Sequence, residues 1–206
     1  ATIIGRDNAE KDLLPVLESF LEDTDEVKIG VIEHLSEIFA VIGSASRLSL
    51  IRLLSTFESE DAEKIGNWRI RFALAKQILP VAELLSGAAT AEFIVPILLA
   101  YLDDTAAVVR EKTVEIAGRV LFNAARELSW YSETIVNAMS SIKLLATSHR
   151  WSDRRAYINI CLALAREVEQ RFVVDELLPL LVMLAEDSVA AVRVALSHFL
   201  TEVLRL

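Results

Sequence analysis

Three histidines, one cysteine and acidic pairs such as Asp103-Asp104 and Glu186-Asp187 are the residues of this 206-residue chain whose types suit metal ligation, nucleophilic attack or proton transfer. His34, His149 and His198 stand far apart, and none belongs to an HxxxH, HExxH or CxxC spacing that would put two ligands on one helical face. They read as surface or interface imidazoles, and no metal is expected. Cys161 lies between Ile160 and Leu162 with nothing basic beside it to favour a thiolate, so it reads as a small buried hydrophobe. Asp103-Asp104 and Glu186-Asp187 have the chemistry of an acid and a base, yet they recur at equivalent points of the chain, which fits a structural turn better. No GxxxxGK[ST] or GxGxxG loop is present to cradle a phosphate. A nucleophile, a base and an orienting group do not converge anywhere, so the expectation is a protein that is not an enzyme and uses no cofactor.

Recognition chemistry is better represented. Trp68-Arg69 and Arg150-Trp151 set a large aromatic beside an arginine in a polar stretch, and these two residue types are the most enriched in binding hot spots. Both fall in predicted turns between paired helices, which stacking would align into one ridge. Trp130, with Tyr131, falls at the opposite end of its unit and reads as a cover for the stack.

What must position these residues is a repeat. Lys28, Arg71, Arg110, Arg155 and Arg193 sit near the starts of amphipathic runs, at gaps of 43, 39, 45 and 38 residues. A period near forty with two helical runs per unit predicts an all-α fold, an α-α superhelix of the HEAT or armadillo solenoid type with five helix pairs. Three segments agree in phase: Pro15 to Asp23, Pro96 to Asp104 and Pro179 to Asp187 are each eight residues apart, and a basic residue follows at Lys28, Arg110 and Arg193. The single array 1–206 divides into units near 1–43, 44–87, 88–127, 128–170 and 171–206. First helices are predicted near 8–22, 44–59, 89–103, 129–148 and 171–186. Second helices are predicted near 25–42, 66–86, 106–127, 152–169 and 189–205.

The apolar stripes support this period. Val27, Val31, Leu35, Ile38 and Ile42 step by three or four, as do Val192, Leu196, Phe199 and Val203. Gly43 and Gly87 follow such stripes and read as left-handed helix terminators, while Gly30 and Gly118, inside second helices, read as points of close helix approach. Pro15, Pro96 and Pro179 inside the first helices predict a kink in each, one way to curve a solenoid, and Pro80 lies inside a second helix. Asp23, Asp104 and Asp187 with Lys28, Arg110 and Arg193 read as a ladder holding register, within a unit or to its neighbour.

Composition narrows the function classes. Apolar residues make up 53%, charged residues 25%, and only ten residues are glycine or proline, which excludes disordered and turn-rich β chains. The longest apolar runs, 93–102 and 177–185, fall well short of the ~20 residues a membrane span needs, so no membrane partner is expected, and no secretory signal is read at the start. One cysteine permits no intrachain disulfide, which points to a reducing compartment, cytoplasmic and also nuclear. With 21 basic and 30 acidic residues, net charge −9 and no basic run, nucleic acid is not an expected partner.

Gly5-Arg6-Asp7-Asn8 leading to Leu13-Leu14-Pro15, the segment Asn67-Trp68-Arg69-Ile70-Arg71, and Leu177-Leu178-Pro179 through Ala190-Ala191-Val192-Arg193 together resemble a known family. They are similar to the HEAT-repeat scaffolds of Ser/Thr protein phosphatases: the C-terminal part of the 2A-type scaffold (A) subunit and the related regulatory scaffold of the 4 type. The resemblance implies a non-catalytic scaffold that binds a phosphatase catalytic subunit through intra-repeat turns and also a regulatory subunit. Carried over by position, it implies partner contacts at Trp68, Arg69, Trp151, Arg154 and Val189. The competing expectation is a transport or assembly adaptor gripping other proteins. Val203-Leu204-Arg205-Leu206 keeps apolar residues in phase to the last position, which predicts self-association through an exposed solenoid end involving Leu200 and Leu204.

Overall fold

Apolar residues spaced by three and four can be covered only if each helix lays one stripe against a neighbour, and the chain does this by folding into helix pairs. The structure is a computed structural model that describes residues 5–59 and 67–205. Its helices are α1 (6–20) with α2 (25–41), α3 (Ser44–Ser59) with α4 (Trp68–Ala82), and α5 (87–102) with α6 (Ala107–Leu128). They continue with α7 (Glu133–Leu145) and α8 (Trp151–Ala165), then α9 (170–186) and α10 (Ala190–Val203). No strand occurs among the described residues, and no helix there is long and apolar enough to cross a membrane. The fold is a HEAT-type α-solenoid.

Second helices stack in one layer, α2 on α4, α4 on α6, α6 on α8 and α8 on α10, and first helices form the other, with α3, α5 and α7 in succession. Between the layers lie Leu35, Phe39, Leu50, Leu54, Ile78, Leu98, Leu121, Ile135, Tyr157, Leu164, Leu181 and Phe199, all fully buried. Predicted stripes match this core at Val31, Leu35, Ile42, Val192, Leu196 and Phe199, while Val27 and Ile38 are only half-buried.

The first-helix prolines share one solution. Ala9–Leu13, Thr90–Ile94 and Val173–Leu177 are π-helical turns, each running directly into the α-helical segment whose second residue is Pro15, Pro96 or Pro179. Leu14, Val95 and Leu178 each donate their backbone N–H five residues back. The wider turn relieves the clash that a proline ring makes with the carbonyl four residues earlier. At each place where a kink is expected the helix forms a π-turn, three times at the same position. Pro80 lies in the last turn of α4.

Two glycine expectations need correction. Gly43 and Gly87 do not adopt the left-handed region; the positive φ values in the described chain belong to Gly5 and Ser129. Gly87 instead opens α5 with its amide donating to Glu127 Oε2 at 2.6 Å, and a Cβ there would lie 2.7 Å from Glu127 Cβ and 2.9 Å from the Ala124 carbonyl oxygen. Its amide must approach the end of α6 closely, which a side chain would prevent. Gly43 donates its amide to Glu10 in the same way. Gly118 is a true close approach, since a Cβ there would meet Ala163 Cβ at 2.6 Å and the Leu164 nitrogen at 2.8 Å. Gly30 is not, having open space around it. Helix ends fall within a few residues of expectation, the largest differences being at α4 and α8, which stop at Ala82 and Ala165, and at α7, which starts at Glu133. The second helix of the first pair is broken at His34, whose φ of −107° and ψ of 14° separate Asp25–Glu33 from Leu35–Val41. The predicted start of α4 at residue 66, and Leu206, lie outside the described residues.

Candidate protein-interaction ridge

Each turn between paired helices must satisfy the free amides that open the second helix and the carbonyls of the turn itself. In the α5–α6 turn, Asp104 Oδ1 accepts from the Ala106 amide at 2.7 Å, and Arg110 returns from the first turns of α6 to donate to the carbonyls of Asp104 at 2.5 Å and Thr105 at 3.0 Å. The α9–α10 turn repeats this: Asp187 Oδ1 accepts from the Val189 amide at 2.8 Å, and Arg193 donates to the Asp187 carbonyl. In both turns an aspartate stands six positions before the arginine, a spacing present in the sequence at both places.

The carboxylates themselves are held from the preceding pair. Arg71 grips Asp104 with Nε at 2.5 Å and Nη2 at 3.0 Å, and Arg154 grips Asp187 with Nε at 2.5 Å and Nη2 at 2.9 Å. These are fork-on-carboxylate pairs, shielded from solvent, and 33 residues separate the partners in each. The bond to Arg154 holds the Asp187 carboxyl below its ordinary range, and the same bonds push the Arg71 and Arg154 guanidinium values up. The expected ladder thus exists at the third and fifth turns, with different partners: Arg110 and Arg193 bind turn carbonyls, and Arg71 and Arg154 bind the aspartates. At the first turn Asp23 Oδ1 accepts from the Thr24 amide and, among the described residues, forms no ion pair with Lys28. Register in the fourth pair also shifts by one. Arg154, not Arg155, is the periodic arginine, since its Nη1 donates to the Ser148 and His149 carbonyls at 2.8 and 3.1 Å as Arg110 does in its own turn.

Remaining turns are stitched by weaker contacts. Asn67 Nδ2 donates to Asp25 at 2.9 Å, and Arg150 bridges Asp153, at 2.8 Å, and Asp103 of the preceding turn. These links run from the first turn to the last, so the intra-pair turns follow one another along one edge.

Trp68 and Trp151 stand on that edge at the same helical position, the first residue of α4 and of α8, three residues before Arg71 and Arg154. They are 42% and 43% exposed, and exposed indole is the resource such a ridge offers. Arg69 lies 5.5 Å from the Trp68 ring centroid, while the guanidinium over Trp151, at 5.1 Å, comes from Arg155. Asn67 fixes the first of these by accepting from the Arg69 amide at 3.0 Å. Arg154 is committed to Asp187 and two carbonyls, so it positions the ridge. Val189 caps α10, partly buried. A small cleft of about 160 Å³ opens between α6 and α8 beside Trp151, lined by Arg110, Glu111, Ser152, Arg155 and Asn159. The role of Arg155 over Trp151 had no sequence signal. The forward reach of Arg71 and Arg154 did have one, in the shared interval of 33 to the next turn aspartate.

Other chemistry-bearing residues are placed plainly. Cys161 is fully buried, and burial pushes its thiol up to about 12. His34 and Glu37 approach at 3.3 Å on the surface, and no grouping of His, Cys, Asp and Glu suited to a metal ion occurs among the described residues. Trp130 lies against Phe172, ring centroids 4.4 Å apart, joining the α6–α7 loop to α9.

No family model matches the chain. It is homologous to serine/threonine-protein phosphatase 4 regulatory subunit 1: 29% identical over 209 residues to the Homo sapiens protein, 28% to that of Mus musculus and 29% to that of Rattus norvegicus. The alignment covers 99% of this chain and 21% of each relative, so the chain spans about a fifth of their length.

Proposed function

We propose that this chain acts as one five-pair array, a non-catalytic scaffold segment whose turn ridge binds the catalytic subunit of a Ser/Thr protein phosphatase. Trp68, Arg69, Trp151 and Val189 supply the contacts, Arg154 holds the fourth and fifth turns in register, and another face meets a regulatory protein. The compartment is cytoplasmic and nuclear. The observation that carries this reading is the pair of half-exposed tryptophans at equivalent helix starts on one edge, each beside an arginine, in a chain homologous to a phosphatase regulatory subunit. Aromatic anchors of this type dominate interface energetics, and spreading them over several repeats suits a partner that spans the ridge. The mechanism is positional. The array sets where a bound catalyst stands relative to a bound substrate carrier, and bending between pairs adjusts that distance.

The test is capture of purified protein phosphatase 4 and 2A catalytic subunits by the immobilised chain, with and without Trp68→Ala and Trp151→Ala. Each truncation of a hot-spot residue removes about 2 kcal/mol, so the double variant loses capture by roughly a thousandfold while far-UV circular dichroism is unchanged. Equal capture by the double variant rejects the ridge. Arg154→Glu is unsuitable here, because it sets a carboxylate against Asp187 and breaks the turn itself.

A further inference from the structure

At the opposite ends of the helices, away from the ridge, the α6–α7 and α8–α9 loops enclose a second cleft of about 500 Å³. Its wall is aromatic. Ser129, with φ 78° and ψ 146°, turns the chain sharply out of α6 and sets Trp130 against Phe172, leaving Tyr131 82% exposed at the mouth. Its rim is acidic: Glu167 and Glu169 come from the α8–α9 loop, Asp175 and Glu176 from α9. Arg171 is the one cation among the lining residues and lies 3.3 Å from Asp175, while Glu176 is taken by Lys143 at 2.7 Å. Glu167 and Glu169 have no ion-pair partner among the described residues. The cleft therefore combines π faces with uncompensated negative charge on one side, and the carboxylates of Glu167 and Glu169 are not used in holding α8 to α9.

We infer that this cleft is a docking site for a lysine- or arginine-bearing segment of a protein partner. Charge decides the class of occupant. A phosphorylated peptide, a nucleic acid or an anionic lipid surface meets four carboxylates here against two cations, Arg171 and Lys143, that are already paired, whereas a basic side chain meets complementary potential. The aromatic wall then decides the manner. A long aliphatic stem packs along the Tyr131 and Trp130 rings while the cationic head lies over a ring face or reaches Glu167 and Glu169, an arrangement in which cation–π attraction and a charge-assisted hydrogen bond act together. Trp130 is fixed by Phe172, so the wall needs no ordering on binding. This surface is separate from the ridge, and the inference does not rest on the phosphatase reading.

The experiment titrates the chain with a fluorescein-labelled decapeptide alternating Lys and Arg with Gly and Ser, and with a matched peptide carrying Gln at the basic positions, by anisotropy at 0.15 M salt. The basic peptide binds at least about tenfold more tightly than the neutral one. Tyr131→Ala weakens it about fivefold, and Glu167→Gln with Glu169→Gln weakens it by at least as much. Trp68→Ala with Trp151→Ala leaves it unchanged, which separates this site from the ridge. Because the net charge is −9, a control removes two exposed carboxylates elsewhere, Glu22→Gln with Glu26→Gln, and binding must persist. Equal affinity for both peptides overturns the inference. So does equal loss in the control and the cleft variants, which assigns the attraction to overall charge. Tyr131 and both glutamates are exposed, so the variants keep the fold and each outcome is readable.

Discussion

The α7–α8 turn and the α9–α10 turn carry the same arginine at the same helical position and use it differently. Arg154 satisfies two carbonyls of its own turn and also reaches forward to the carboxylate of Asp187, while Arg193 binds the turn carbonyl alone. Arg71 and Arg110 repeat the contrast one couple earlier. Three residues before the forward-reaching arginines stand Trp68 and Trp151; before the others stand Ala107 and Ala190. Pairs two and three, and pairs four and five, are therefore coupled by the same device. Pairs two and four give an arginine and expose a tryptophan, and pairs three and five receive it on an aspartate. Between the couples, at the junction of pairs three and four, Ser148 replaces the acceptor aspartate, the ion pair that remains, Arg150 with Asp103, is solvent-exposed, and the helices come into close contact, with Gly118 against Ala163. Neighbouring repeats can be kept in register by a shielded ion pair or by backbone proximity, and this chain uses both.

Breaking the ion-pair kind of junction gives the largest effect. Arg71→Ala leaves Asp104, 5% exposed, without its forked partner, and loss of one side of such a shielded pair costs about 3 kcal/mol. Arg110→Ala removes only hydrogen bonds to turn carbonyls and costs about 1 kcal/mol. Urea denaturation followed by circular dichroism distinguishes the two, and equal costs would falsify the division into couples. Breaking the contact kind comes next. Gly118→Ala drives a methyl into Ala163 and the backbone of Leu164, an overpacking of about 1–3 kcal/mol, whereas Gly30→Ala, in open space inside α2, raises stability by about 0.5–1 kcal/mol. A destabilised Gly30→Ala would show that glycine there answers a contact the structure does not contain.

Acid separates the junctions further. The folded Asp187 carboxyl lies below its unfolded value of 3.8, so its contribution is fully present above that value and is lost as pH falls through the lower folded one. Asp187→Asn removes this dependence, so the wild-type and variant stability curves run parallel above about pH 5 and converge below pH 4. Curves that stay parallel to pH 2 mean that Arg154 does not select the charged form.

Much of this architecture was legible because solenoid packing is periodic. The phased Pro15, Pro96 and Pro179 with their aspartates gave the pairs, and the stripe through Val192, Leu196 and Phe199 gave the buried face of α10. What stayed hidden lay between repeats. A carboxylate's partner is chosen in three dimensions, so Asp104 and Asp187 were matched to arginines six residues on when the fork arrives from 33 residues before. Glycine after a stripe suggested a left-handed cap, but at Gly87 the cause is an approaching Glu127 from the next helix, a contact that local sequence does not encode. Proline gave the site of each first-helix distortion and not its π-turn form. On the ridge, the tryptophans were visible as types, and their common helix-start position needed only the correct register of Arg154.

The smallest effect tests whether exposed charge contributes to register at all. Arg119 lies 2.7 Å from Glu83, linking α6 to the end of α4, with the two side chains 53% and 47% exposed. Two flexible side chains facing water lose rotamer freedom to meet and gain little Coulomb energy across a high dielectric, so such a pair contributes about 0–1 kcal/mol. The double-mutant cycle of Arg119→Ala and Glu83→Ala gives a coupling below about 0.5 kcal/mol that vanishes as salt rises toward 1 M. The same cycle on Arg71 and Asp104 keeps most of its coupling in salt, because those partners are shielded to 16% and 5%. If both cycles screen alike, burial of the turn pair has no energetic consequence and the couples are held by apolar stacking alone.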